Sequence, residues 1–294
     1  MHSTIADLPA WLTPGDAAAP DHVSIRGVPL RIDQLVDTNR FQPDAVAALN
    51  RSFVTAPPFP HLVIDGLFNA DLLDLVVEEF DLLDASCWRR SQDGQHERTM
   101  RTLPGSRLGR AAQMYFDVLH SSWFVQFLQQ VTEVGGLVTD PHLHGGGFHE
   151  ARDGGRFRIH TDFNKHERTK LDTELVLITY LNRDWDPAWG GSLELWSAKP
   201  KECVRRIEPV FGRTFLMRET PHSFHGHPLP LQMPAGQVRR SVAAYFYSHR
   251  GNTQDVRRHP TLFMDSSTMR MLRIAARELT PPLVWNGVKR LLGR

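Results

Sequence analysis

Apolar positions recur at helical spacing in the first half of the chain and alternate in the second. From Asn69, the stretch NADLLDLVVEEFDLL places Leu72, Leu73, Val76 and Phe80 on one face, which predicts an amphipathic helix capped by Asn69 and laid against a sheet. A second helical pattern runs from about Ala111 to Val134 and meets a stop at Gly135-Gly136. Between the two, RRSQDGQHERTMRTLPGSR is polar without a clear period and is expected to be a loop. Ahead of them, APPFPHLVIDGLF predicts a short strand entered through prolines. Residues 1–55, rich in Pro, Asp and Ala, are expected to form a loosely packed amino-terminal arm.

From Leu143 to Tyr247 the texture is that of short strands separated by turn residues. GGGFHEA, a turn at Asp153-Gly154-Gly155, RFRIHTDF, TELVLITYLN, the Gly190-Gly191 turn, SLELWS, TFLMRE and RRSVAAYFYSH follow in order. Helices in front and strands behind predict one α+β domain over residues 56–250, with a mainly β core closed as a barrel or sandwich. Residues 251–294 contain TMRMLRIAAREL and VWNGVKRLLGR, two short basic amphipathic segments. They are expected to form a helical tail packed on the domain, with a contact between two copies as the alternative use.

Composition narrows the function. The 294 residues carry 34 Lys+Arg against 33 Asp+Glu, a balance that gives no global field for nucleic acid or an acidic membrane. No stretch has the length of a membrane span or the form of a signal peptide. Two cysteines, Cys87 and Cys203, make no disulfide framework and fit no zinc spacing, so a cytoplasmic setting is expected. Histidine is abundant, fifteen in all, with one group at 142–166 and another at 222–227.

The chemistry gathers in FRIHTDFN. On an alternating strand Arg158, His160 and Asp162 share one face, and Phe157, Ile159 and Thr161 share the other. An imidazole and a carboxylate turned inward need a partner, and a divalent metal supplies one. A third ligand is available downstream in ETPHSFHGHP, from His222, His225 or His227. Two histidines and a carboxylate on one side of an ion form the facial arrangement of non-haem Fe(II) oxygenases. In RRSVAAYFYSH, Arg239 and Ser241 share a face and suit a grip on a carboxylate, whereas Arg240 points the other way. His142, His144 and His149 either line a substrate pocket or serve as polar filling of the barrel. His166, in NKHERTK, is expected to be exposed on a loop that closes over the site; Trp185 and Trp189 serve either a pocket mouth or packing under a loop.

These segments, in this order, resemble the Fe(II)/2-oxoglutarate-dependent oxygenases of the prolyl-hydroxylase-like branch. HTD resembles the family's H-x-D pair, ITYLN its Y-L-N strand, WGGSLEL its G-G-x-L turn, SFHGHP the segment of the distal histidine, and RRSVAAYFY its R-x-S strand. The resemblance implies a double-stranded β-helix, or jelly roll. It implies iron held by His160, Asp162 and His225, and 2-oxoglutarate contacted by Tyr180, Arg239 and Ser241. It implies Fe(II), 2-oxoglutarate and O2 as the reacting set, with ascorbate as a candidate reductant. The expected reaction hydroxylates an unactivated C–H bond of a protein prolyl residue or a polar small molecule, with release of succinate and CO2. One departure is Glu174, where many relatives carry a basic residue. A non-catalytic jelly-roll binding module is the rival reading, and it needs neither the ligand set nor the arginine.

Overall fold

The computed structural model describes residues 22–91, 96–249 and 258–264. The two basic tail segments, 268–279 and 284–294, lie outside the described residues.

The described residues open on a hairpin of β1 (His22–Ile25) and β2 (Val28–Arg31), then α1 (Pro43–Thr55) and β3 (His61–Asp65). The helix predicted from Asn69 is α2 (Ala70–Leu82), and the Asn69 side chain accepts a hydrogen bond from the Leu72 amide at 3.0 Å. Residues 22–55 are not a loose arm. Ile25, Leu30, Leu35, Phe41, Val46 and Phe53 are buried in the main core beside α2 and the later helices. Their apolar positions are spread over three short elements, so no single window shows the period.

The polar stretch expected as a loop carries two strands, β4 (Trp88–Ser91) and β5 (His96–Thr102), paired antiparallel. β5 also pairs with the long strand over Gly147–Thr161, and this ladder holds it where alternation in the sequence is weak. The single helix expected over 111–134 is two, α3 (Arg110–His120) and α4 (Ser122–Thr132). The break falls at Ser121, whose hydroxyl accepts from the Phe124 amide at 3.4 Å and caps α4. α4 ends at Glu133, which itself takes the left-handed conformation two residues before the glycines. A distant residue caps α3: the buried Glu79 carboxylate of α2 accepts from the Ala111 and Ala112 amides, each at 2.9 Å. There it meets the positive end of the helix.

Between residues 138 and 248 follow β6 (Val138–Thr139), β7 (Gly147–Thr161), β8 (Asp172–Tyr180), β9 (Leu193–Trp196), β10 (Cys203–Ile207), β11 (Arg213–Arg218), β12 (Phe224–His227) and β13 (Arg239–Ser248). They form one curled antiparallel sheet in the order β10-β9-β12-β7-β13-β8-β11-β3, with β5 joined to β7, β4 to β5 and β6 to β13. β7 is one strand of 15 residues, where a turn at Asp153-Gly155 had been expected. Its first half pairs with β13 and its second half with β12, so it carries the sheet around the curl. This is the mainly β jelly-roll core, backed by helices.

Burial divides each central strand between two layers. On β8, Leu175 and Leu177 join the core against the helices, while Val176, Ile178 and Tyr180 face the inside of the curl. β11 repeats this with Leu216 outward and Phe215 and Met217 inward. Being covered on both faces is why LVLITY is a continuous apolar run. The curl leaves a cavity of about 320 Å³ in its interior.

Candidate active site

His160 and His225 face each other across β7 and β12, directly opposed in register, with ring centroids 4.4 Å apart. Asp162 follows the end of β7. Its Oδ1 lies 3.3 Å from His160 Nε2 and its Oδ2 lies 3.7 Å from His225 Nε2. The potential ligand atoms of the three residues all lie within 4.8 Å of one another, and all three side chains are buried. Each histidine is oriented from behind. Nδ1 of His160 donates to the Arg158 carbonyl at 2.7 Å, and Nδ1 of His225 donates to the Ser223 carbonyl at 2.9 Å. These bonds fix the tautomer that presents Nε2 as the acceptor atom, the arrangement a metal-ligating histidine needs.

The strand-face expectation for β7 is half right. The register steps from His225↔His160 to His227↔Phe157, so β7 carries one extra residue at this point. That bulge brings Phe157, not Arg158, to the cavity side beside His160, with ring centroids 3.8 Å apart. Opposite the bulge stands Gly226, where a Cβ would meet the carbonyl oxygens of Phe157 and Arg158 at 2.7 Å each. The glycine between His225 and His227 is what lets the two strands close there.

Electrostatics suit a cation. Burial would raise the Asp162 pKa, but the His160 and His225 rings and the Tyr245 hydroxyl, which donates to Oδ2 at 2.7 Å, hold it well below the ordinary carboxylate range. Burial and the neighbouring His160 push the His225 pKa down to about 4, so its ring is neutral at pH 7. Two imidazoles with fixed tautomers and one ionised carboxylate are a donor set that fits Fe(II). Beside them Glu219 is buried, and burial and then Asp162 push its pKa well above normal, which favours its protonated form.

Tyr180, Arg239 and Ser241 lie in the same cavity. Ser241 is directly opposed to Tyr180 across β13 and β8. Arg239 is 7% exposed, donates through Nε to the Gly191 carbonyl at 2.9 Å, and holds its Cζ 5.1 Å from the centre of the Tyr180 ring. Among the described residues it has no carboxylate partner. A Cβ on Gly191, at φ +71°, would meet Leu231 at 2.5 Å and Arg239 at 3.1 Å, so this turn needs glycine for its close approach. Arg240 belongs elsewhere. It donates to Glu150 and Asp81, both at 3.1 Å, and lies 5.0 Å above the Phe80 ring, tying α2 to the outer face of the sheet.

Other expectations change. His166 is buried, with Nε2 3.1 Å from Asp140 and Nδ1 accepting from the Arg168 and Thr169 amides. Arg168 and Lys170 are not among the residues lining the cavity. Trp185 and Trp189 pack edge to face at 5.2 Å in a cluster with Leu231 and Met233, outside the cavity lining. Glu174 is held by Arg218 at 2.9 Å and by the Ser248 hydroxyl at 2.5 Å, a structural position. Of the early histidines, His149 lines the cavity and His142 and His144 do not. His222 is exposed, whereas His227 also lines the cavity. Sequence reasoning missed Tyr245, Glu219 and Phe157. Strand parity signalled Tyr245, which lies on the same face of β13 as Arg239 and Ser241.

Residues 146–247 match the family model described as the 2OG-Fe(II) oxygenase superfamily. No curated protein matches the chain. Among solved structures, a prolyl-4-hydroxylase of Pseudomonas putida is similar at 20% identity over 70% of this chain and 100% of its own, TM-score 0.51. A prolyl hydroxylase of Trichoplax adhaerens, solved with a hypoxia inducible factor oxygen degradation domain peptide, is similar at 14% identity over 76% of this chain and 100% of its own, TM-score 0.55. An oxidoreductase of the 2OG-Fe(II) oxygenase family from Burkholderia pseudomallei is similar at 12% identity over 71% of this chain and 94% of its own, TM-score 0.50.

Proposed function

We propose that this chain, whose residues 146–247 match the 2OG-Fe(II) oxygenase superfamily model, is an oxygenase of that kind and hydroxylates an unactivated C–H bond of a protein prolyl residue or a polar small molecule. In this reading His160, Asp162 and His225 hold the iron, while Arg239, with Ser241 and Tyr180, grips the distal carboxylate of 2-oxoglutarate. When bound, the metal supplies activation of O2 coupled to decarboxylation of the keto acid to succinate and CO2. The protein's own work is positional. The Arg158 and Ser223 carbonyls aim the two imidazoles, the Tyr245 hydroxyl and His160 set the Asp162 carboxylate, and Gly191 seats the arginine.

One observation carries this reading: a buried guanidinium without a carboxylate shares a cavity with the His-Asp-His set. A buried unpaired charge costs several kcal/mol, roughly, and is retained where a ligand supplies the counter-charge. A non-catalytic module has no need of that pairing. Cys87 and Cys203 are both free thiols, which favours a reducing, cytoplasmic setting. Among the described residues no helix is long and apolar enough to cross a membrane. The test is succinate formation from 2-oxoglutarate, with and without prolyl peptides, in wild type and Asp162→Ala. Iron-dependent succinate that falls at least about a hundredfold in the variant supports the reading, since a lost ligand costs more than the 10–100-fold of its supporting groups. Undiminished turnover in the variant refutes the ligand assignment.

A further inference from the structure

The cavity holds more positive charge than the metal and 2-oxoglutarate account for. Besides Arg239 it is lined by Arg89 and Arg90 of β4 and Arg101 of β5. Its carboxylates are Asp162, one of the three metal-site donors, and Glu150, which is bound to Arg152 and Arg240, each at 3.1 Å. No ion pair or hydrogen bond engages the Arg89 or Arg101 guanidinium among the described residues.

The register sets like charges face to face, with Arg89 exposed and Arg101 half-buried. Arg89 is directly opposed to Arg101, Arg101 to His149, His149 to Ser241, and Ser241 to Tyr180. These five residues form a cross-strand row, and all five line the cavity. Like charges directly opposed destabilise an antiparallel pair. The next member, His149, brings no negative charge: burial and then Arg101 push its pKa down to about 4, and its Nε2 is shielded from solvent without a hydrogen-bond partner. Arg101 lies two strands from Arg239, roughly 10 Å across the sheet, so it is not a second hold on the carboxylate that Arg239 grips.

We infer that Arg89 and Arg101 form an oxyanion site for the molecule being oxidised. The substrate therefore carries a carboxylate or phosphate group that lies against the β4–β5 hairpin when its reacting carbon faces the His-Asp-His set. This deepens the proposed function and rests on it for the word substrate. The anion site itself stands on the arginine row alone. An oxyanion seated there neutralises the opposed pair and accepts charge-assisted hydrogen bonds from both guanidiniums.

The test uses the full-length protein without metal or 2-oxoglutarate, titrated calorimetrically at constant ionic strength with inorganic phosphate and, in a second arm, acetate. Saturable binding of one of these is expected, and which one distinguishes a phosphorylated from a carboxylated substrate. Affinity should fall at least tenfold in Arg101→Gln and in Arg89→Gln, recover partly in Arg101→Lys, and hold in Arg239→Gln. The melting temperatures of the Arg89 and Arg101 variants should not fall. The inference is overturned if neither anion saturates, if the double Gln variant binds like wild type, if only Arg239→Gln loses binding, or if the variants unfold earlier. Because neither iron nor 2-oxoglutarate is present, failure here is separate from failure of the oxygenase reading.

Discussion

Arg239 and Arg240 are neighbours on β13, yet they live on opposite sides of the sheet and under opposite electrostatics. The inner face, with Ser241, Ala243 and Tyr245, lines the cavity, and its arginine is buried without a carboxylate. The outer face, with Val242, Ala244 and Phe246, packs in the core against the helices, and its arginine is committed to Glu150 and Asp81. An arginine already neutralised by its own chain is part of the scaffold. One left buried without a partner marks the seat of a ligand; Arg89, exposed, and Arg101, half-buried, share only the lack of a carboxylate partner, which sets them apart from Arg213, paired to Asp65 at 2.7 Å.

Exchanging what the two faces do is the sharpest way to break this contrast. Arg239→Ala should raise the 2-oxoglutarate concentration needed for half-maximal turnover by about a hundredfold, the equivalent of one charge-assisted bidentate contact of roughly 3 kcal/mol. Its melting temperature should hold or rise, because an uncompensated buried charge is removed. Arg240→Ala should do the reverse. It removes one of the two guanidiniums on the buried Glu150 carboxylate, leaving the more exposed Arg152, and should cost about 1–3 kcal/mol of stability in denaturant unfolding, with the 2-oxoglutarate requirement moved less than about threefold. If the two substitutions exchange these effects, the assignment of strand faces is wrong.

A smaller effect sharpens the same inner face. His149, held neutral by burial and Arg101, has its pKa at about 4, below the ordinary value of 6.5. Above pH 6.5 the group adds nothing to the pH dependence. As pH falls from 6.5 towards 4, the unfolded chain takes up a proton that the folded chain refuses, so stability falls, by at most about 1.4 kcal/mol per pH unit for this group. Unfolding of the metal-free protein followed from pH 7 to pH 4.5 should therefore show a shallower loss in His149→Asn than in wild type. An unchanged slope would mean that His149 titrates normally.

The site was more legible in the sequence than the scaffold, for a physical reason. His160, Asp162, His225, Arg239 and Ser241 sit in short segments where two-residue spacing already implies a shared face. What the sequence hid depends on partners far along the chain. The β4–β5 strands are held by pairing to β7 and lack an apolar alternation of their own. The bulge that exchanges Arg158 for Phe157 exists only against β12, where Gly226 lets it close. His166 is buried by Asp140, 26 residues earlier. The cap on α3 comes from Glu79, 32 residues before Ala111. A helical period also runs unbroken through Ser121, although its hydroxyl starts a new helix.

The central claim is that the inner face of the curl holds iron and 2-oxoglutarate together, and anaerobic titration of the full-length protein with Fe(II) and then 2-oxoglutarate tests it most directly. Wild type should develop the visible charge-transfer absorption of a keto acid chelated to iron, saturating with one equivalent of metal, and His225→Ala should not. Absence of the band in wild type, or its persistence at full intensity in His225→Ala, would contradict the account.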